Sequence, residues 1–488
     1  MENLALNLGK KTISGTFWSY IAYYSGKVMV LLSTIILARL LEKDDFGVAG
    51  YALVVIGFLD VFADLGIGQA LIYHPKDEET SSTGFWLGFA VAVSLFLITW
   101  AAGPWVGSYF RDQRAVSVTR LLALTFPISA MGNVHSVLMS KELQFRKKFL
   151  PEFVRAIGKG VISIVLAALG FGYWSLIAGQ LAGTLSGVVM YWLVYPWRPS
   201  FRFSVSKARS MLAYGINIVG VSGLSVIQSS TPSILIGRYI GSVGLGIYQL
   251  AFRVPDLLIG QFCSIVSQVI FPVYTSIQED LAVLRRGFEI ATRYLSLITV
   301  PIGVGLALIA RPFVLVVFSQ KWESSIPVVQ AIALYSMILS LSYSAGSVYK
   351  ATGRPYILSR LSLIEVLYEV PIFVWVALTF QSVYAMAWSL TLLTITTTIL
   401  ELSVASWVLK MPVFQILKAL APAFLAAGVM SVAVSLAMKL MAGIPDIIQL
   451  VGGILVGGGF YIGTLWVLQR QLVFETLQFL KKTIRKQE

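Results

Sequence analysis

The chain has 488 residues, of which 57% are hydrophobic and only 12% are charged, and its mean hydropathy is +0.80. A soluble protein carries about 25% charged residues, so this composition excludes an ordinary cytosolic enzyme, a disordered protein and a disulfide-rich scaffold. With one cysteine and two histidines, the sequence predicts neither an intramolecular disulfide nor a histidine-based metal site. The composition predicts an all-α polytopic membrane protein.

A helix that crosses a membrane needs about 20 mostly apolar residues. Runs of this kind follow one another along the chain, and short turns at Gly170-Phe171-Gly172 and Phe380-Gln381-Ser382 divide two runs that are too long for a single crossing. We therefore predict about 14 transmembrane helices. They lie at residues 14–40, 46–72, 83–103, 116–139, 153–170, 172–195, 211–237, 244–270, 289–311, 326–350, 357–380, 382–409, 416–440 and 446–469.

The basic residues set the predicted orientation. The chain has 37 Lys and Arg residues against 23 Asp and Glu residues, a net charge of +14. Most of the basic residues fall on one side of the membrane if the N-terminus is cytoplasmic, as the positive-inside rule requires. Both termini are therefore predicted to be cytoplasmic, and the net charge needs no nucleic-acid partner.

A faint internal repeat divides the chain. Arg39 and Gly47 match Arg238 and Gly246 at a constant offset of 199 residues, although glycine and arginine can also recur at helix ends by chance. Two copies of six helices in the same orientation indicate a transporter with its pathway between the copies. We predict an N-lobe of helices 1–6 (residues 1–195), a cytoplasmic linker (196–210), a C-lobe of helices 7–12 (211–410), helices 13–14 (411–469) and a basic, amphipathic cytoplasmic tail (470–488).

The sequence predicts no catalytic site. No Gly-Lys pair has the upstream glycine and the following Ser or Thr that a nucleotide-binding loop needs. The predicted outside connections are too short to build a catalytic site. We therefore predict neither an enzyme nor a cofactor.

Lys27 is the first candidate site residue, because it lies near the middle of the first predicted helix, too deep for its side chain to reach the surface. Tyr20 and Tyr24 share its helix face, and an aromatic face that leads to a cation suits a sugar and a phosphate. Asp60 and Asp64, one turn apart on the second helix, are candidates for carrying a coupling proton or cation. They are equally candidates for counter-ions of Lys27, and the sequence does not separate the two roles.

The second half contains similar polar groups. Gln249, Arg253 and Asp256 form a polar stripe on the eighth predicted helix, where Arg253 and Asp256 can also neutralise each other. The seventh helix adds Asn217 and Gln228. Further candidates for coupling ions are Asp256 and two carboxylates one turn apart on the eleventh helix, Glu365 and Glu369. For these last two, snorkelling to the membrane surface or helix–helix hydrogen bonding is the favoured interpretation.

Several motifs resemble one protein family. They are Leu37-Ala38-Arg39-Leu40-Leu41 with the following Phe46-Gly47, Phe62-Ala63-Asp64-Leu65-Gly66, Glu142-Leu143-Gln144-Phe145-Arg146, Tyr173-Trp174-Ser175-Leu176 and Ala351-Thr352-Gly353-Arg354-Pro355. These motifs resemble the Wzx-type flippases of bacterial polysaccharides, which belong to the multidrug/oligosaccharidyl-lipid/polysaccharide (MOP) exporter superfamily. One departure is Glu42-Lys43, where relatives often have a proline.

The resemblance implies two six-helix lobes related by a pseudo-two-fold axis, plus two C-terminal helices, in the bacterial inner membrane. The implied cargo is an oligosaccharide on undecaprenyl diphosphate, moved from the cytoplasmic to the periplasmic leaflet. The partners that the resemblance implies are membrane lipids, a polysaccharide polymerase and glycosyltransferases. Lys27 and Arg253 are the positions that would supply the cationic cavity typical of the family.

Two other functions stay open at this point. One is a multidrug-exporter-like antiporter of the same superfamily, which exchanges cations for protons or sodium and has an acidic cavity. The other is a scaffold subunit that positions glycosyltransferases.

Overall fold

The computed structural model describes residues 26–64, 66–73 and 77–469, and all regular structure in these ranges is helical. The predicted basic tail at 470–488 lies outside the described residues. A π-helical turn (Asp256–Gly260) and a 3-10 turn (Gln320–Ser325) interrupt the series. The α-helices are α1 (26–40), α2 (Lys43–Asp64), α3 (Ile67–Tyr73), α4 (Glu78–Phe110), α5 (Arg114–Leu122), α6 (Thr125–Lys141), α7 (Phe145–Ala168), α8 (Tyr173–Val194), α9 (Val205–Tyr239), α10 (Ser242–Pro255), α11 (Gln261–Ser276), α12 (Leu281–Leu308), α13 (Ala310–Val317), α14 (Ile326–Ser340), α15 (Tyr343–Ala351), α16 (Tyr356–Phe380), α17 (Val383–Leu409), α18 (Val413–Leu440) and α19 (Asp446–Leu468).

The chain is an all-α multi-pass membrane protein, as its composition predicts. Within the described ranges, 11 helical segments are long and apolar enough to cross a membrane, and each coincides with a predicted span. Two other predicted spans coincide with α7 and α9, which are helical but more polar. The first predicted span lies partly outside the described residues, so the count of 14 stays a prediction.

Several predicted spans are interrupted within the described residues. The span predicted at 46–72 consists of α2 and α3, which are separated at Gly66, a residue with a φ of 67°. Such a left-handed backbone is open to glycine at no steric cost, so the helix breaks there. The span at 116–139 is likewise split into α5 and α6, and the span at 326–350 into α14 and α15. Hydropathy reports the length of an apolar run and not the continuity of its backbone hydrogen bonds.

The two tight turns predicted from the sequence are confirmed. Gly170 and Gly172 have φ values of 85° and 53°, and they separate α7 from α8. Gln381, with a φ of 44°, lies between α16 and α17.

Asp77 starts α4 and ties it to α9. Its carboxylate accepts hydrogen bonds from the backbone N–H and the hydroxyl of Thr80, at 2.5 and 2.6 Å, and from Lys207 Nζ at 3.1 Å. Partial burial acts to raise the pKa of Asp77, but the bonds from Thr80 and the charge of Lys207 outweigh it and lower the pKa to about 2. The cap therefore stays ionised at any physiological pH.

The described residues fall into two compact units. Unit 1 contains Met1–Gln249 and Val370–Ser382, and unit 2 contains Leu250–Glu369 and Val383–Glu488. Unit 1 has several small apolar clusters, whereas unit 2 has one large core that includes the buried Phe288. The lobe boundaries predicted from the sequence stay predictions.

The predicted linker at 196–210 is bonded to the helices of unit 1. Its non-helical part runs up to α9, which begins at Val205. The Trp86 indole of α4 donates to the Ser200 carbonyl at 2.8 Å, and a ring nitrogen of His135 lies 3.1 Å from the Trp197 carbonyl. This segment is therefore held against α4 and α6.

The N-terminal turns of α2 and α10 cross at two glycines in unit 1. A Cβ atom at Gly47 would overlap the carbonyl oxygen of Ser242, and a Cβ atom at Gly246 would overlap the carbonyl oxygen of Lys43. These pairs are reciprocal at the 199-residue offset of the repeat, as expected for two copies that meet across a two-fold axis. The contact thus has the reciprocity that the predicted repeat would give, and the repeat itself stays a prediction.

We expect Gly47→Ala and Gly246→Ala each to destabilise the protein by about 1–3 kcal/mol, the usual cost of overpacking. The opposing atom is a backbone oxygen in both cases, so it cannot move aside as a side chain can. Thermal unfolding of the purified chain in lipid nanodiscs measures the effect. Gly57→Ala on α2 is the matched control, because nothing lies within 4 Å of its Cβ position. An equal loss of stability in all three variants would contradict the assigned contact.

Candidate functional site

A polar chamber of about 430 Å³ lies within unit 1, bounded mainly by α2, α3, α6 and α7. Among the described residues of its lining, two are cations, Lys148 and Arg155, and one is a carboxylate, Asp60. The described part of the lining therefore carries more positive than negative charge. The other lining residues are Ala63, Gly68, Gln69, Ile72, Ala92, Phe126, Ser129, Ala130, Asn133, Ser136, Val137 and Ser140.

One face of α6 supplies hydroxyl and amide groups to the chamber. Ser129, Asn133, Ser136 and Ser140 recur at i, i+4, i+7 and i+11, so they share this face. Lys148 donates to the Ser140 hydroxyl at 2.8 Å, which links α7 to α6 at one end of the face. The arrangement offers neutral donors and acceptors beside two cations, a combination that suits a ligand with both hydroxyl groups and negative charge.

Close packing of α7 on α8 positions the chamber's second cation. Three glycines of α8, at 179, 183 and 187, face α7 at four-residue intervals, the small-residue spacing that lets membrane helices approach closely. A Cβ atom at Gly183 would lie 2.7 Å from the Lys159 Cβ and 2.8 Å from the Arg155 carbonyl oxygen. The backbone of α7 at Arg155 is thus fixed by contacts that a larger residue on α8 would prevent.

A neighbouring small cavity extends the polar region toward α8. Arg155 also lines this cavity, together with Glu152 and Tyr191. The Tyr191 hydroxyl donates to the Glu152 carboxylate at 2.7 Å. Glu152 therefore has a local partner on α8.

Lys27 lies on α1, which packs along α7. A Cβ atom at Gly26 would contact the Ala156 side chain at 3.9 Å, and one at Gly160 would overlap the Ser33 hydroxyl. Lys27 is half-buried and follows Gly26 in the chain, and it is not among the described residues that line the chamber. Two other predicted site residues, Tyr20 and Tyr24, lie outside the described residues.

The predicted acidic pair is described in part. Asp60 lines the chamber. Asp64 is the last residue of α2, next to the break at Gly66, and its side chain lies outside the described part of the chain. The side chain of Asn217 on α9 also lies outside it, while Gln228 on the same helix is half-buried.

The polar stripe predicted on the eighth helix (Gln249, Arg253 and Asp256) lies in two different environments. Gln249 reaches α2, since its side-chain nitrogen would lie 2.7 Å from a Cβ atom at Gly50 within unit 1. In unit 2, Arg253 is exposed and precedes the π-helical turn that begins at Asp256. The Asp256 carboxylate accepts a hydrogen bond from Gln261 Nε2 at 3.0 Å. π-Helical turns are rare and often accompany functional sites.

Glu365 and Glu369 are both nearly fully buried in unit 2, each 4% exposed. The Thr397 hydroxyl of α17 donates to Glu369 at 3.0 Å, and it also lies 2.6 Å from the Tyr368 hydroxyl. Glu369 is therefore hydrogen-bonded between α16 and α17, and its role as a coupling-ion site stays a prediction.

Sequence reasoning missed the two cations of the chamber. Lys148 belongs to a cluster of basic residues (Lys141, Arg146, Lys147 and Lys148) that supports the predicted orientation in the membrane. Arg155 lies in the more polar α7. Neither residue therefore stands out as a charge deep within an apolar run. Two features of the sequence could have indicated them. One is the polar stripe of α6. The other is the seven-residue spacing of Lys148 and Arg155 on the next helix, which places both cations on one helix face.

The sequence pattern of the polysaccharide biosynthesis protein family matches residues 36–327, more than half of the chain. The chain belongs to this family. Among curated relatives, it is 26% identical to the teichuronic acid biosynthesis protein TuaB of Bacillus subtilis, over 71% of this chain and 73% of the relative. It is also 26% identical to the lipopolysaccharide biosynthesis protein WzxC of Escherichia coli, over 75% of each chain.

Solved structures show the same fold at low sequence identity. The lipid II flippase MurJ, in an inward closed conformation, superposes with a TM-score of 0.77 at 14% identity, covering 93% of this chain and 99% of that chain. An inward-facing multidrug resistance MATE family transporter of the MOP superfamily superposes with a TM-score of 0.67 at 14% identity, covering 79% and 94%. The resemblance found in the sequence is confirmed, and the fold is the one these MOP-type transporters share.

We expect Gly183→Ala to destabilise the protein by about 1–3 kcal/mol, because its methyl group would press on the α7 backbone at Arg155. Thermal unfolding in lipid nanodiscs measures this loss. Gly428→Ala on α18 is the control, since nothing lies within 4 Å of its Cβ position. Similar melting temperatures for the two variants would refute the assigned role of the α7–α8 contact.

Proposed function

We propose that the chain flips a lipid-linked oligosaccharide, carried on undecaprenyl diphosphate, from the cytoplasmic to the periplasmic leaflet of the bacterial inner membrane. Membership in the polysaccharide biosynthesis protein family and the fold shared with MurJ support this function. The observation that carries it is the chamber in unit 1, where the lining combines Lys148 and Arg155 with the hydroxyl and amide face of α6.

The chemistry of such a cargo matches the chamber. Placing cations among membrane helices costs several kcal/mol unless they face water or a partner, and a diphosphate is a partner of opposite charge. Guanidinium groups bind phosphate oxygens through two parallel hydrogen bonds, whereas an ammonium group acts as a point charge. Arg155 would therefore orient the diphosphate and Lys148 would add charge. Ser129, Asn133 and Ser136 offer partners for sugar hydroxyls.

Other predicted residues extend this proposal. Lys27, which follows Gly26 at the contact of α1 with α7, is proposed to add a third cation for the diphosphate. Arg253 would hold phosphate in the second half of the chain, and the aromatic face of Tyr20 and Tyr24 would stack on sugar. Both termini are proposed to be cytoplasmic, and the polymerase and glycosyltransferases that act on the same cargo are proposed partners.

The antiporter remains the second candidate. The buried carboxylates of unit 2, Glu365 and Glu369, are the observation that favours it, because buried acids can carry protons or sodium through a membrane protein. Cation export would require an acidic site for the cargo, whereas the described lining of the chamber in unit 1 has more basic than acidic residues. The flippase therefore fits the chamber better.

Coupling to an ion gradient is proposed to act through Asp60. Protonation of this carboxylate would remove the negative charge that competes with a diphosphate for Lys148 and Arg155. Cargo would then be held more strongly in the protonated chamber and released when Asp60 loses its proton.

We expect Arg155→Ala and Lys148→Ala each to reduce export at least tenfold, because a hydrogen bond to a charged group contributes about 1.5–3 kcal/mol. Lys27→Ala should also impair export, and Lys27→Arg should retain it, since only charge is needed there. The measurement is surface polysaccharide in cells whose own flippase gene is deleted, together with flipping of lipid-linked oligosaccharide by proteoliposomes.

Lys147→Ala is the matched control for these variants. Lys147 is exposed and adjoins Lys148 on α7, so the variant loses the same charge from the same helical turn but does not line the chamber. It should export normally. Normal export by Arg155→Ala at wild-type expression levels would contradict the proposed role of the chamber.

The coupling proposal predicts that a proton gradient accelerates flipping by the wild type but not by Asp60→Asn. The amide keeps the shape of the carboxylate and cannot take up a proton. Flipping rates in proteoliposomes with and without the gradient measure the difference. If the two proteins respond identically to the gradient, Asp60 does not couple flipping to protons and has only a structural role.

A further inference from the structure

An apolar groove of about 430 Å³ lies in unit 1, separate from the polar chamber and bounded by α2, α4 and α9. Its lining is almost entirely hydrocarbon. The hydroxyl of Thr99, one of its few polar groups, is already bonded to the Leu95 carbonyl of its own helix at 2.7 Å. The lining residues are Val54, Val55, Phe58, Leu59, Ile98, Thr99, Ala102, Trp105, Val106, Tyr109, Phe110 and Ile234.

The groove has the length of one membrane leaflet. On α4 it extends from Ile98 to Phe110, which corresponds to about 18 Å at 1.5 Å per residue. The hydrocarbon core of a bilayer is about 30 Å thick, so the groove covers roughly half of it. Trp105 and Tyr109, 81% and 41% exposed, lie toward one end, and such aromatic residues favour the level of the lipid headgroups.

A cation lies at this aromatic end. Arg238 follows the groove residue Ile234 by one turn of α9, and its guanidinium lies 5.3 Å from the centroid of the Tyr109 ring. One of its terminal nitrogens donates to the backbone carbonyls of Ser108 and Tyr109. Within the described ranges, no carboxylate forms an ion pair with Arg238. Its charge and its remaining N–H donors are therefore available at the headgroup level.

We propose that this groove binds one acyl chain of an anionic phospholipid, whose phosphate accepts hydrogen bonds from Arg238. The apolar lining, the length of one leaflet and the cation at the headgroup end together match the parts of a phospholipid. The undecaprenyl chain of the proposed cargo is far longer than the groove, so it fits less well. The bound lipid would fill a space that α2, α4 and α9 leave open and would stabilise their packing. This inference does not depend on the proposed function.

The test titrates phosphatidylglycerol into the purified full chain in detergent and follows the melting temperature. We expect phosphatidylglycerol to raise the melting temperature more than phosphatidylcholine does. Arg238→Gln should raise the lipid concentration for half-maximal stabilisation about tenfold, the effect of losing a hydrogen bond to a charged group. Ala102→Phe, which fills the groove, should abolish the response even though it keeps Arg238.

Lys439→Gln is the charge-matched control, because Lys439 is an exposed cation at the end of α18 and does not line the groove. It should respond like the wild type. Equal stabilisation by the two lipids, or an unchanged response of Arg238→Gln, would overturn the proposal. Displacement of bound phosphatidylglycerol by an equimolar amount of undecaprenyl phosphate would also overturn it and assign the groove to the cargo.

Discussion

The crossing of α2 and α10 at two glycines is the constraint on which the architecture of unit 1 depends. Backbone atoms of one helix replace the missing side chain of the other at both Gly47 and Gly246, so any other residue would force the helices apart. The contact is reinforced by Asp44, whose carboxylate accepts hydrogen bonds from Ser242 and from Arg114 at the start of α5. Three helix beginnings are thereby joined at one end of the unit.

Close helix packing also determines where the polar groups of unit 1 lie. Lipid offers no hydrophobic advantage to helix association, so small residues that allow close contact carry much of it. The glycines of α8 bring α7 near and fix Arg155, while the hydroxyl groups of α6 face the resulting chamber. The position of Arg155 in the chamber thus depends on a close packing of α7 on α8 that only the glycines of α8 allow.

Much of the fold was predictable from the sequence, and less of the site. Apolar runs and the turns at Gly170 and Gln381 identified most helices, because both depend on local chemistry. The break at Gly66 and the π-helical turn after Pro255 were not predicted, since a hydropathy pattern does not record how backbone hydrogen bonds are shared. Arg155 was missed because its importance comes from tertiary packing, whereas Asp60 was visible as an isolated charge in an apolar run.

The π-helical turn at Asp256–Gly260 has a consequence for the stiffness of the helix that contains it. The backbone N–H of Gln261 donates to the Asp256 carbonyl, five residues earlier, so the turn is wider than an α-helical one and takes up one more residue. Sharp bends of long helices occur at such turns. The helix can therefore change direction at Asp256–Gly260 at a smaller cost in free energy than a continuous α-helix would require.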